Sequence, residues 1–64
     1  MLLANRVRAR RNDLRMSQET LADLAGIDRT YASQIERGVA NPSLDVLCRL
    51  SEALQMGLPE MLAS

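Results

Sequence analysis

The chain has 64 residues, 47% of them hydrophobic and 25% charged, which is enough for one small domain and too apolar for a disordered chain. Its net charge is zero, which taken alone argues against a nucleic-acid partner, and its single cysteine excludes an internal disulfide. No apolar run is long enough to span a membrane and no export leader is recognisable, so we expect a cytoplasmic protein.

The charges are unevenly distributed along the chain. Residues 1–15 contain five arginines and one aspartate, a net charge of +4, whereas residues 16–64 carry −4. Every basic residue is an arginine, whose planar guanidinium suits phosphates and guanine edges. A solvated amphipathic helix explains the N-terminal cluster equally well. We expect one or two of the following arginines to touch phosphate and the rest to serve solubility: Arg6, Arg8, Arg10 and Arg15.

Turn residues divide the chain into five predicted helices, and no stretch alternates as a strand does. The first helix covers about residues 2–14, with Arg11 set into its apolar stripe. Ser43 is predicted to cap a fourth helix that ends at Gly57, and a short fifth helix covers residues 59–62. The predicted fold is an all-α five-helix bundle. The side chains of the fourth helix that we place in the core are Leu44, Leu47, Cys48, Leu50, Ala53 and Leu54.

The second and third helices are joined by a very short connection. Ser17 is the predicted N-cap of the second helix, which ends at Gly26, and Asp28 is the predicted N-cap of the third, which ends at Gly38. Two helices joined by three or four residues that include a glycine form a helix-turn-helix unit. We place this unit at about residues 17–37 of a single domain that covers residues 1–64.

The third helix has two contrasting sides. On a helical wheel, its outward sector of about 140° contains no aliphatic residue and no acid. Side chains that read bases and hold phosphates fill that sector, namely Arg29, Thr30, Ser33, Gln34 and Arg37. Tyr31 borders both sides, so we expect its ring to pack inward and its hydroxyl to reach a phosphate or water.

Four segments of this region match a known pattern in register: Ser17–Ala22, Ala25–Ile27, Ile35–Gly38 and Asn41–Leu44. On the basis of these segments, the chain resembles the lambdoid phage repressor/Cro family, also called the XRE family. The resemblance covers about residues 6–62. Within that family the chain is most similar to small stand-alone regulators such as restriction–modification controller proteins. The resemblance implies a lambda-repressor-like fold and a bacterial or phage-encoded transcriptional regulator, which binds a two-fold operator with its third helix in the major groove.

The resemblance also implies roles for individual residues. Those facing base edges are Arg29, Thr30 and Gln34. Those contacting or bracing the DNA backbone are Gln18, Arg37 and Asn41. The helical wheel adds Ser33 and Tyr31 to these backbone contacts. Gln18 is also expected to brace Gln34 or a base. Arg11 and Glu36 match a partly buried ion pair between the first and third helices. The wheel supports this pair independently, since an arginine on an apolar stripe needs a partner.

One helix-turn-helix unit buries too little surface for tight binding, so we expect a homodimer on double-stranded DNA. The candidate interface is the apolar tail of Met56, Leu58, Met61 and Leu62, although these side chains can equally close the core of one chain. The lack of histidine, of a glycine-rich phosphate loop and of paired carboxylates argues against an enzyme, and we predict no cofactor or metal. The alternative function is that of an adaptor or antitoxin built on the same fold.

Overall fold

The computed structural model describes residues 2–63 and contains no strand within them. The helices are α1 (Leu2–Asp13), α2 (Gln18–Ala25), α3 (Arg29–Glu36), α4 (Leu44–Ala53) and α5 (Leu58–Leu62). This architecture confirms the predicted all-α five-helix bundle. Among the described residues, no helix has the length and apolar character needed to cross a bilayer.

Side-chain caps set the start of three helices, as the sequence predicted. Ser17 Oγ accepts a hydrogen bond from the backbone N–H three residues later at 3.0 Å, and Ser43 Oγ does the same at 3.3 Å. The carboxylate of Asp28 accepts from the N–H two residues later at 3.0 Å. Each cap satisfies a backbone donor that has no partner within its own helix, and so fixes where the helix begins.

The helices α1 to α4 all end in the same way. Shortly after each one, a residue takes the left-handed conformation: Arg15 (φ 55°), Gly26 (φ 68°), Gly38 (φ 74°) and Gln55 (φ 53°). The next N–H then donates to a carbonyl five residues back, at 2.9 to 3.0 Å. This is the Schellman arrangement, which turns the chain sharply after a helix. Glycine adopts it at little cost, whereas two of the four turns here are made by larger residues.

The prediction that Gly57 ends the fourth helix was wrong. Helix α4 ends at Ala53, and the left-handed residue is Gln55. Gly57 is instead the N-cap of α5, with φ −65°, and Pro59 lies one residue inside that helix. The left-handed turn at Gln55 ends α4 before Gly57, and the N–H of Met56 closes that turn on the carbonyl of Ser51 at 3.0 Å.

The core lies between all five helices. Its fully buried side chains are Val7, Leu21, Ile35, Leu50, Leu54 and Met61. Small residues let α2 and α3 approach closely: Ala22, Ala25 and Ala32 are at most 2% exposed. The core positions predicted for Leu44 and Cys48 were wrong, because Leu44 is 66% exposed and Cys48 is also at the surface. Cys48 lies about 200° around the helix from the buried Leu50, and therefore faces away from the core.

Arg10 has a structural role that the sequence did not reveal. Its Nε donates to the carbonyl of Leu54 at 2.9 Å and its Nη2 to the carbonyl of Gln55 at 3.2 Å. Both carbonyls lie at the end of α4, so Arg10 ties α1 to that end. An Arg10 that serves only solubility is therefore contradicted, because its guanidinium is bound to backbone carbonyls. Arg6 is half-buried on the same helix, with its Nε enclosed.

Candidate nucleic-acid interface

Helix α3 presents a polar side to solvent and an apolar side to the core. Arg29 and Thr30 are exposed, whereas Ala32 and Ile35 are 1% exposed. Tyr31 is half-buried and packs against the core, as the wheel predicted for its ring. The buried side is packed against α2 and α1, which hold the outward side in a fixed orientation.

The outward side of α3 borders a shallow depression of about 210 Å³, which we call the recognition depression. It is lined by Gln18, Arg29, Thr30, Ser33 and Arg37. Five of the predicted DNA-contacting residues therefore meet at one place, and two of them are arginines. No acidic side chain lines it, so its charge suits phosphates and the acceptor-rich edge of guanine.

A second depression, of about 410 Å³, lies on the α2 side of the first. Gln18 and Arg29 line both depressions, whereas Glu19 and Asp23 line only the second. Arg29 therefore lies at the boundary between an acid-free surface and a surface with carboxylates. The remaining predicted contacts lie outside both depressions: Gln34 is half-buried on α3, Tyr31 is on its inner side, and Asn41 is exposed in the loop before α4.

A buried ion pair fixes the end of α3 against α1. Arg11 Nε donates to Glu36 Oε2 at 2.7 Å, and Arg11 Nη2 donates to Glu36 Oε1 at 3.0 Å. The side chain of Glu36 is 2% exposed and that of Arg11 is 14% exposed. Arg11 also donates from Nη1 to the carbonyl of Met16 at 2.8 Å. Two parallel bonds between charged groups restrict both distance and angle, so the pair sets how α3 lies on α1.

Gln18 is attached to this ion pair. Its Nε2 donates to Glu36 Oε1 at 3.3 Å. A carboxylate paired with a guanidinium only accepts, so the NH₂ group of Gln18 must face Glu36 and its carbonyl oxygen must point elsewhere. The expected bracing of Gln34 by Gln18 is not found, since no hydrogen bond joins them among the described residues. No sequence spacing connects residues 18 and 36, and the contact exists only because α2 and α3 cross there.

Arg8 also reaches the end of α3. Its Nη1 donates to the backbone carbonyl of Glu36 at 3.4 Å, and its Nη2 donates to Asn5 Oδ1 at 2.8 Å. Arg37 follows directly as the C-cap of α3, and its own N–H donates to the carbonyl of Ser33 at 3.0 Å. Two sequence signals bear on Arg8: it belongs to the N-terminal arginine cluster, and its three-residue spacing from Arg11 places both side chains on one face of α1.

The apolar tail divides between the core and the surface. Met61 is fully buried in the core of the single chain, so we withdraw it from the candidate interface. Met56 and Leu58 are half-buried and pack against the same core. Leu62 is 49% exposed and is the member of the tail that offers most of its surface to a partner.

Comparison with known proteins identifies the family. Residues 7–61 match a family model described as "Helix-turn-helix". The chain is 41% identical over 61 residues to the control protein C.SmaI of Serratia marcescens, a match that covers 95% of this chain and 73% of that protein. It is 39% identical over 54 residues to the repressor protein C2 of Salmonella phage P22, covering 84% of this chain but 25% of that protein.

Solved structures show the same relationship. The restriction–modification controller protein C.AhdI from Aeromonas hydrophila superposes with a TM-score of 0.91 at 40% identity, over 94% of this chain and 91% of that one. The phage P22 c2 repressor, in a crystal structure with a synthetic operator, superposes with a TM-score of 0.92 at 35% identity, over 98% and 96% of the two chains. The chain therefore belongs to the lambdoid phage repressor/Cro-like (XRE) family of helix-turn-helix domains, and it is similar to small regulators such as the restriction–modification controller proteins.

Proposed function

We propose that the chain is a sequence-specific DNA-binding transcriptional regulator, which places α3 in the major groove of a two-fold operator. The observation that carries the proposal is the acid-free recognition depression, in which two arginines, a glutamine and two hydroxyls meet on the outward side of α3. The likeness to the P22 c2 repressor, whose structure contains an operator, supports the same use of this surface. The control protein C.SmaI and the P22 repressor among its relatives support transcriptional regulation.

The two ends of α3 have different tasks in this proposal. Arg29 is the first residue of the helix and is exposed, so its guanidinium can reach O6 and N7 of a guanine. Thr30 and Gln34 complete the base-reading set. Arg37 caps the other end, where the DNA backbone passes, and there it holds phosphate together with Ser33 and Gln18. The remaining backbone contacts in the proposal are Asn41 and the hydroxyl of Tyr31.

The whole chain acts as one DNA-binding domain in this proposal, and two copies bind the two halves of the operator. Half-site centres are then about 10 bp apart, or a multiple of one helical turn, since both copies dock on one side of the duplex. Leu62 contributes exposed apolar surface to the contact between the copies. A regulator of this kind works at the nucleoid in the bacterial cytoplasm, and we assign it no enzymatic activity, cofactor or metal ion.

The alternative of an antitoxin-type adaptor is not supported. Its relatives C.SmaI, C.AhdI and P22 c2 are described as a control protein, a controller protein and a repressor. A salt-dependent gel shift distinguishes the two functions, because an adaptor shows no affinity for DNA even at low salt.

The decisive experiment separates base reading from phosphate binding. Bound sites are first selected from random DNA, and the wild type and two variants are then titrated against the selected and scrambled duplexes at several salt concentrations. Arg29→Ala should lose roughly 1–3 kcal/mol per half-site on the selected duplex and less on the scrambled one. Arg37→Ala should weaken both similarly and lower the salt slope by about one per half-site.

Two results would count against this assignment. If the wild type binds no duplex at low salt, the protein is not a DNA-binding regulator. If Arg29→Ala loses equal affinity on both duplexes, Arg29 holds phosphate, and base reading falls to Thr30 and Gln34.

A further inference from the structure

We propose that Arg8 of α1 binds a phosphate of the DNA, so that the interface extends beyond the helix-turn-helix unit. The inference rests on the proposed DNA-binding function and adds a contact from a helix outside that unit. It depends on three observations: where the guanidinium lies, how it is held, and which charges surround it.

The guanidinium of Arg8 lies at the end of α3. Its Nη1 is 3.4 Å from the carbonyl oxygen of Glu36, which is the last residue of that helix. This carbonyl belongs to the peptide bond that joins Glu36 to Arg37. The side chain of Arg37 lines the recognition depression. Arg8 therefore lies beside the residue proposed to hold the DNA backbone, although the two are far apart in sequence.

The side chain of Arg8 is partly organised before any ligand binds. Its Nη2 donates to Asn5 Oδ1 at 2.8 Å, while Nη1 makes the long contact with the carbonyl of Glu36. A guanidinium has five N–H donors in a planar fork, so donors remain for a further acceptor. Arg8 itself is exposed. A side chain already held in place loses less conformational entropy when a phosphate binds.

The positive charge of Arg8 is not neutralised by a neighbouring acid. Within residues 2–63, salt bridges join Arg11 to Glu36 and Arg49 to Asp45, and neither involves Arg8 or Arg37. The carboxylate of Glu36 is nearby, but it is buried and its charge is matched by Arg11. The end of α3 thus carries two positive charges without a carboxylate partner, an arrangement that attracts a phosphate.

A purely structural role for Arg8 would be to cap the carbonyls at the end of α3. Arg10 shows what such a role looks like in the same helix, since it donates to two carbonyls of the α4 end at 2.9 and 3.2 Å. Arg8 instead makes one carbonyl contact at 3.4 Å and is more exposed. Arg10 is therefore the matched control. It lies on the same helix and carries the same charge as Arg8, but it contacts the C-terminal end of α4, whereas Arg8 contacts the C-terminal end of α3.

The test measures DNA affinity against salt concentration, with thermal unfolding of each variant recorded in parallel. The probe is a short mixed-sequence duplex, because phosphate contacts act on any DNA sequence. Arg8→Ala should lower the slope of log affinity against log salt by about one per bound protomer and leave the melting temperature nearly unchanged. Arg8→Lys should keep the slope of the wild type. Arg10→Ala should lower the melting temperature and leave the slope unchanged.

If Arg8→Ala has the same slope of log affinity against log salt as the wild type, the inference is overturned and Arg8 only caps α3. The proposed function would still stand. If the wild type itself binds no duplex at low salt, both fail. Should Arg8→Ala unfold at the assay temperature, Arg8→Gln gives the same test, since its amide can still donate to the carbonyl of Glu36 but carries no charge. A slope lowered in Arg8→Gln then supports the phosphate contact, and an unchanged slope overturns it.

Discussion

Replacing Arg11 with methionine tests how strongly the buried ion pair stabilises the fold. Methionine keeps most of the apolar stem of the arginine, so packing around the stem changes little. Glu36, however, loses its hydrogen bonds from Arg11 at 2.7 and 3.0 Å. Its carboxylate is on a side chain that is 2% exposed, and within residues 2–63 the one remaining side-chain donor is Gln18 at 3.3 Å. Arg11→Met therefore leaves a buried charge with a single weak partner.

The size of the effect follows from this burial. Breaking a buried ion pair by removing one partner costs about 3–5 kcal/mol. The side chain of Arg11 is 14% exposed, so water reaches one edge of the site. We therefore expect the lower end of that range, about 3 kcal/mol. For a domain of this size the melting temperature should fall by roughly 12–24 °C. This is a large part of the about 3–10 kcal/mol that stabilises a chain of this length.

The assay is urea and thermal unfolding of the wild type, Arg11→Met, the double variant Arg11→Met/Glu36→Leu, and Arg8→Ala. The double variant should recover most of the lost stability, because no charge remains buried. Arg8→Ala should cost less than about 1 kcal/mol, since Arg8 is exposed. Equal losses in Arg11→Met and Arg8→Ala would refute the stabilising role of the pair. A double variant as unstable as Arg11→Met would show that the buried charge is not the cause.

The other predictions concern the turns and the surface. Gln55→Gly should raise stability by up to about 1 kcal/mol, because a side chain at positive φ is strained; Gln55→Ala, which keeps the strain, should give no such rise in thermal unfolding. Gly26→Ala should lower stability by about 1–2 kcal/mol, because its φ of 68° is strained for alanine. The added Cβ would make only an ordinary contact, 3.5 Å from Arg49 Nη1, so no clash adds to that cost. An unchanged melting temperature would mean that the turn relaxes. Cys48→Ser should change stability by less than about 0.5 kcal/mol, because Cys48 is exposed. In the folded wild-type protein, the Cys48 thiol should react with a thiol reagent. A thiol that reacts only after unfolding would contradict this exposure.

The sequence by itself determined where three of the helices start and which side of α3 faces outward. The starts of α2, α3 and α4 were correct because Ser17, Asp28 and Ser43 cap a backbone N–H two or three residues away, a contact that needs no other part of the fold. The polar side of α3 was correct for a similar reason. Its period of 3.6 residues sorts Arg29 and Ile35 to opposite sides wherever the helix lies.

Only the tertiary structure decided which distant groups meet. The attachment of Gln18 to Glu36 depends on how α2 crosses α3, and the contact of Arg10 with the end of α4 depends on where α4 stops. Met61 enters the core because the turn at Gln55 folds α5 back onto α1. The residues that flank a long side chain along the sequence are the same whether that side chain contacts solvent, a carbonyl or the core. Its partner is set by the crossing of helices far apart in the chain, and no spacing within one helix encodes that crossing.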